Sequence, residues 1–311
     1  MKNVEGNKQM KLFVTGVNGQ LGYDVVKEAL RRGYTVVASD ITIAYQGLIE
    51  LSGKTMDYVA MDITDAKQVN MILLRENPDV VIHCAAWTAV DAAESPENIQ
   101  KVYHINAQGT KNIAECCKTL NCKMIYISTD YVFDGQGVEA WEPDCRIYAP
   151  LNVYGKSKLL GEQFVEQLIN KFYIVRIAWV FGLNGNNFVK TMLNVGKKYN
   201  TVRVINDQIG SPTYTFDLSR LLLDMAETDK YGYYHATNSG EYISWYEFCC
   251  EIYKMVGYTT QIIPVSTDEY GATKARRPFN SRLNKEKLSE NGFRSLPHWK
   301  DALADYLNKL D

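Results

Sequence analysis

Tyr154 and Lys158 stand at i and i+4 in the stretch Leu151-Asn152-Val153-Tyr154-Gly155-Lys156-Ser157-Lys158, which opens a helical pattern reaching Leu168. On a helix that spacing puts both side chains on one face, a turn apart. A phenol has an ordinary pKa near 10, so to exchange a proton at neutral pH it needs roughly 3 units of help, about 4 kcal/mol. An ammonium about 5 Å away, in a cleft of effective dielectric about 20, supplies roughly 3 kcal/mol to the phenolate. Ser128-Thr129 closes the apolar run Lys123 to Ile127 that precedes this helix. A hydroxyl at a strand tip can hydrogen-bond a carbonyl oxygen and polarise it while a neighbouring acid delivers the proton. Tyr-x-x-x-Lys occurs by chance in many helices. Its place after a strand ending in Ser-Thr makes it a candidate for carbonyl chemistry, against the plainer readings of a strand-end turn and a packed aromatic.

Such chemistry needs a hydride source, and the N-terminal stretch supplies a place for one. Lys11 to Val14 reads as a buried strand and Leu21, Val25, Ala29 and Leu30 as one face of a helix, with Gly16, Gly19 and Gly22 in the turn between them. Free backbone N–H groups and the positive end of a helix there form an anion site suited to a pyrophosphate. Thr35 to Ser39 is a second strand and Asp40 its tip, where a carboxylate can accept from both ribose hydroxyls of NAD. The spacing Gly-x-x-Gly-x-x-Gly is looser than Gly-x-Gly-x-x-Gly and resembles the short-chain dehydrogenase/reductase superfamily, in which it holds NAD or NADP.

The elements that position these residues alternate along the chain. Tyr58 to Met61 is a strand ending at Asp62-Ile63, an acid–apolar pair that can bracket an adenine or cap the next helix, Ala66 to Arg75. Val80 to Ile82 is a buried strand running into His83 and small Ala85 and Ala86, which let a flat cofactor lie close. His83 reads as a core histidine. One helix is expected from Pro96 to about Leu120, with polar Asn106 bonding neighbouring backbone, and Tyr173 to Trp179 is a further strand. Strand and helix alternating without tight hairpins give an α/β fold with a doubly wound parallel sheet. After 182 the rhythm breaks: a Gly- and Asn-rich loop, helices 188–199 and 216–226, strand 233–236, and a capping-box helix from Ser244 to Met255. The expected organisation is a flexible tail, 1–9, a dinucleotide-binding domain, 10–182 with 214–238, and a smaller substrate-binding domain, 183–213 with 239–311.

Bulk properties narrow the partners. At 311 residues and a formal net charge of −2, the chain has length for a real core and no global attraction for nucleic acid or anionic membrane. No apolar run is long enough to span a bilayer. Its seven cysteines, Cys84, Cys116, Cys117, Cys122, Cys145, Cys249 and Cys250, show no Cys-x-x-Cys pair and sit mostly in apolar runs. They are read as reduced thiols of a cytoplasmic protein, not a disulfide frame or zinc site.

Longer motifs give a narrower resemblance. Thr15-Gly16-x-x-Gly19-Gln20-Leu21-Gly22, Ala85-Ala86-Trp87-Thr88-Ala89-Val90-Asp91, Ser128 to Gly135 and Tyr154-Gly155-Lys156-Ser157-Lys158 resemble the dTDP-4-dehydrorhamnose reductase family of extended short-chain reductases. So do Gly185-Asn186-Asn187-Phe188, Asp207-Gln208-x-Gly210-x-Pro212-Thr213 and Arg277-Pro278-x-x-Ser281, which carries the resemblance over nearly the whole chain. It implies NADH- or NADPH-dependent reduction of the 4-keto group of dTDP-4-dehydro-L-rhamnose. By position, Thr129, Tyr154 and Lys158 would be catalytic, and Thr129, Asp130, Tyr131 and Trp179 would touch the sugar. Gly16, Gly19, Gln20, Leu21, Gly22, Asp40, Asp62, Ile63, Ala86, Trp87, Thr88, Tyr154 and Lys158 would line the cofactor. Trp87 departs from the family, which often has histidine or a smaller aromatic there. Arg277, in the basic cluster with Lys274 and Arg276, is a candidate grip on the substrate's phosphates, against the reading of a solvated basic loop. No metal is expected, and the chain would act as a monomer or homodimer. Two other readings stay open: a different nucleotide-sugar reductase, epimerase or dehydratase, or a non-catalytic NADP-binding subunit resembling the regulatory subunit of methionine adenosyltransferase.

Overall fold

The computed structural model describes residues 9–45, 50–51, 54–271 and 273–310, so the expected tail lies outside it except for Gln9. Among the described residues, the main sheet contains β1 (Lys11–Thr15), β2 (Thr35–Asp40), β3 (Asp57–Ala60), β4 (Val80–His83), β5 (Lys123–Thr129), β6 (Phe172–Ile177) and β7 (Gly232–His235), in the order β7-β6-β5-β4-β1-β2-β3. Every pairing within it is parallel. The chain therefore winds one way from β1 to β3 and the other way from β4 to β7. The crevice outside the carboxyl ends of β1 and β4 is where such a sheet takes a ligand.

The inner strands are buried on both faces, which is why they read as continuous apolar runs. Leu12 and Val14 pack with Val25, Ala29, Leu218 and Leu222 on one side. Phe13, between them, packs with Val69, Ile113, Met124 and Val165 on the other. Apart from Met124 of β5, those partners belong to α1 (Gln20–Arg32), α2 (Ala66–Glu76), α4 (Thr110–Leu120), α5 (Val153–Leu168) and α7 (Thr215–Ala226), with α3 (Pro96–Tyr103) preceding α4. The helix starts follow local chemistry. Asp65 caps α2, so the cap is Asp65 and not Asp62, and Asn152 caps α5 by accepting from the Gly155 N–H. The single helix expected from Pro96 to Leu120 is interrupted by a π turn, His104–Gly109.

A third core lies beyond the sheet. Phe181, Val189, Tyr214, Phe248, Ile252, Trp299 and Tyr306 join α6 (Phe188–Lys198), α8 (Trp245–Val256) and α9 (Trp299–Asn308). The capping box at Ser244 and Glu247 is formed. A parallel pair, Thr201–Ile205 with Gln261–Val265, and α9 add to the elements expected from the sequence. Leu288, Phe293 and Leu296 return to the core under the sheet. In the division into two domains that we propose, residues 239–311 thus contribute to both. No described helix is long and apolar enough to cross a membrane.

Candidate active site

A cavity of about 560 Å³ opens along the carboxyl edge of the sheet, from the turn after β1 to the first turn of α8. Its first wall is backbone. Gly16 has φ 70°, and a Cβ there would stand 2.6 Å from the Ala85 nitrogen; one on Gly22 would stand 2.3 Å from the Gly16 oxygen. Neither position admits a side chain without displacing main chain. The N-cap of α1 is Gly19, with no side-chain cap, so no cap side chain occupies the N–H groups of the first turn that face the cavity with Gln20, Leu21 and Gly22. Asp40 lines the same wall, and its Oδ2 accepts the Asn18 N–H at 2.9 Å, tying β2 to the glycine turn. Asp62 and Ile63 follow, the Asp62 carboxylate accepting from Thr64 N–H at 2.9 Å and Thr64 Oγ1 at 2.7 Å.

The middle of the cavity is lined by Ala86, Trp87 and Thr88. Asn106, in the π turn, fixes this segment: its Oδ1 accepts the Trp87 N–H at 2.7 Å and its Nδ2 donates to the Trp87 carbonyl at 3.1 Å and to Ser157 Oγ at 3.0 Å. The expected backbone partner of Asn106 is therefore a strand-tip loop, not its own helix. An extra residue in the turn is what can aim a helical side chain across at another segment. His83 is a core histidine, held between Thr15 Oγ1 at 2.8 Å and Thr110 Oγ1 at 3.1 Å, and burial brings its pKa down to about 3.

At the tip of β5 the structure brings together Ser128, Thr129, Asp130, Tyr131, Tyr154 and Lys158. Gly155 permits it: a Cβ there would lie 2.3 Å from the Tyr131 oxygen, so α5 sits directly on the turn after Thr129. Tyr154 and Tyr131 meet edge to face, ring centroids 5.6 Å apart. The electrostatics differ from the expected ion-assisted phenol. Burial pushes the Tyr154 hydroxyl well above its ordinary value, against a hydrogen bond with Thr129. The Lys158 ammonium lies over the Tyr126 ring, 4.0 Å from its centroid, and burial, opposed by Glu162, brings its pKa down to about 7. Tyr154 thus keeps its proton at neutral pH, the state a proton donor needs. The Ser128 hydroxyl is buried with no partner and lines the cavity.

The far wall is aromatic. Trp179, at a left-handed backbone (φ 51°), stacks on Trp245 with ring centroids 3.8 Å apart and planes 16° from parallel. Gly210 leaves room for the Trp179 ring; a Cβ on it would stand 3.0 Å away. Trp245 lines the cavity, whereas the sequence marks it only as the start of a helix. Its signal was present, a large aromatic one position after an N-cap, but nothing local says which wall it reaches. Arg277 is not brought to the cavity lining. Its guanidinium holds Asp91, at 2.6 Å and 3.2 Å, because the loop before Pro278 folds over the short helix Val90–Ala93.

Residues 10–311 match the RmlD substrate-binding domain family. The chain belongs to that family. It is 37% identical over 299 residues to the spore coat polysaccharide biosynthesis protein SpsK of Bacillus subtilis, covering 96% of this chain and 97% of that protein. It is 35% identical to the dTDP-4-dehydrorhamnose reductase of Aggregatibacter actinomycetemcomitans, covering 95% and 97%. Among solved structures, the dTDP-4-dehydrorhamnose reductase of Bacillus anthracis in complex with NADP superposes with a TM-score of 0.87 at 38% identity, over 97% of this chain and 99% of that one.

Proposed function

We propose that this chain is an NAD(P)H-dependent reductase of the 4-keto group of a nucleotide-linked 6-deoxyhexose, converting dTDP-4-dehydro-L-rhamnose to dTDP-L-rhamnose. The observation that carries the reading is the convergence of Thr129, Tyr154 and Lys158 on one cavity that begins at an uncapped glycine turn. The relatives named above as dTDP-4-dehydrorhamnose reductases support the substrate, and the one solved with NADP supports the cofactor.

The cavity fits a dinucleotide. The first turn of α1 would hold the pyrophosphate, Asp40 the adenosine ribose, Asp62 and Ile63 the adenine, and Ala86 to Thr88 the middle of the cofactor. When bound, the reduced nicotinamide supplies the hydride. Tyr154, neutral at working pH, donates its proton to the oxygen as the carbonyl carbon is reduced. The Trp179–Trp245 stack presents an apolar face to the sugar and keeps water from that side.

Oxidation of NADH and of NADPH by the purified chain, with and without dTDP-4-dehydrorhamnose, tests the reading. Substrate-dependent oxidation with dTDP-L-rhamnose as product is expected. Tight cofactor binding with no oxidation would point to the non-catalytic subunit, and turnover only with other ketosugars to another reductase.

A further inference from the structure

Both oxygens of the Asp130 carboxylate are engaged by hydroxyls. Thr129 Oγ1 donates to Oδ1 at 2.9 Å and Ser281 Oγ to Oδ2 at 2.5 Å. All three residues are 5% exposed or less. A hydroxyl has one proton. With Asp130 ionised, the Thr129 proton is committed to it. Thr129 then accepts, from the Tyr131 N–H at 3.2 Å, and has no proton left for the Tyr154 phenol or for a substrate oxygen. In that state it cannot polarise a carbonyl, the role its position suggests. A carboxylic acid at 130 reverses the arrangement: the acid donates to Thr129, and the Thr129 proton is released to the cavity.

We propose that Asp130, held by Ser281, is a positioning residue that sets the direction of the Thr129 proton, and that the acid form of Asp130 is the one that reduces the ketone. This rests on the reductase reading. In that reaction hydride adds to the carbonyl carbon, the nicotinamide is oxidised, and the Tyr154 proton goes to the oxygen. A Thr129 hydrogen bond shares the charge growing on that oxygen, whereas an ionised Asp130 beside it opposes that charge. Burial, opposed by the Ser281 and Thr129 hydrogen bonds, brings the Asp130 carboxyl up to about 6, so both forms lie within the working range. The groups around it are the Tyr154 phenol from α5, the Tyr131 phenol of its own turn, and the Arg277–Asp91 pair behind Tyr131. Lys158 follows one turn along α5.

The test is single-turnover NADH oxidation with dTDP-4-dehydrorhamnose from about pH 5.5 to about 8.5. The wild-type rate should fall as pH rises through the Asp130 titration. Lys158 adds a fall in the same direction near 7, which two variants separate. Ser281→Ala removes a donor to the ionised form and should move the lower limb up by about one pH unit. Asp130→Asn places an amide N–H where the acid has its O–H. It should abolish the lower limb, shrinking the ratio of rates across the range by at least about fivefold. A role in packing alone would lower the rate at every pH without moving a limb. The inference is overturned if the limb survives in Asp130→Asn, or if Ser281→Ala leaves it in place or moves it down. Should Asp130→Asn fail to fold, by circular dichroism and NADH titration, Ser281→Ala decides alone. A wild-type protein that oxidises NADH with no ketosugar at any pH sinks the reductase reading instead.

Discussion

The two long walls of the cavity are built on opposite principles. The glycine wall, Gly16 to Gly22, works by the absence of side chains. Its N–H groups and its room for a ligand both depend on main chain approaching main chain, to the point where a methyl on Gly22 would overlap the Gly16 oxygen. The far wall works by side-chain surface. Trp179 and Trp245 come from segments 66 positions apart and form one slab only because α8 docks against the strand end at Val180–Phe181. The first wall fails when atoms are added, and the second when they are removed. Tyr154 sits between them.

The largest effect should come from the junction. Tyr154→Phe removes the acid and little surface, so kcat should fall by roughly 10²–10⁴ while NADH affinity stays near wild type. Single-turnover oxidation beside an NADH titration checks both, and a near wild-type rate would place the acid elsewhere, with Tyr131 next. For the first wall, Gly22→Ala costs about 1–3 kcal/mol of overpacking, and NADH affinity should weaken at least about tenfold. Unchanged NADH binding by calorimetry would mean the turn yields easily, contrary to the contrast drawn. For the second wall, Trp245→Ala removes a stacked pair of about 0.5–1.5 kcal/mol, which predicts roughly a three- to tenfold rise in KM for the nucleotide sugar. The NADH Kd should not move, since the loss lies on the other wall.

Two smaller effects sharpen the edges. Arg277→Ala breaks a partly exposed pair with Asp91, of about 0.2–1 kcal/mol. A rise of about two- to fivefold in KM for the nucleotide sugar is expected if the guanidinium also meets phosphate, and an unchanged KM leaves it a purely structural tie. At the end proposed for the adenosine ribose, Asp40 lines the wall and no Lys or Arg lies between Val36 and Tyr45. NADH should therefore serve at least as well as NADPH. A kcat/KM tenfold higher with NADPH, about 1.4 kcal/mol, would contradict this.

What the amino-acid sequence determined by itself was everything set by near neighbours. The buried strands, the glycine turn, the capping box at Ser244 and the one-face placing of Tyr154 and Lys158 all follow from period, turn chemistry and hydrogen bonds within four residues. The parallel doubly wound sheet followed as well, because long crossovers leave parallel pairing as the available solution. Contacts across the chain were decided only by tertiary structure. Sequence gave no sign that Asn106 would reach Trp87, that Ser281 would hold Asp130, or that Asp91 would take the Arg277 charge otherwise offered to phosphate. The same holds for the electrostatics of Tyr154 and Lys158. Their spacing put them on one face, but burial against Tyr126 and the turn after Thr129 governs their proton affinities. Desolvation depends on which atoms fill the surrounding volume, and those atoms come from segments with no fixed separation along the chain.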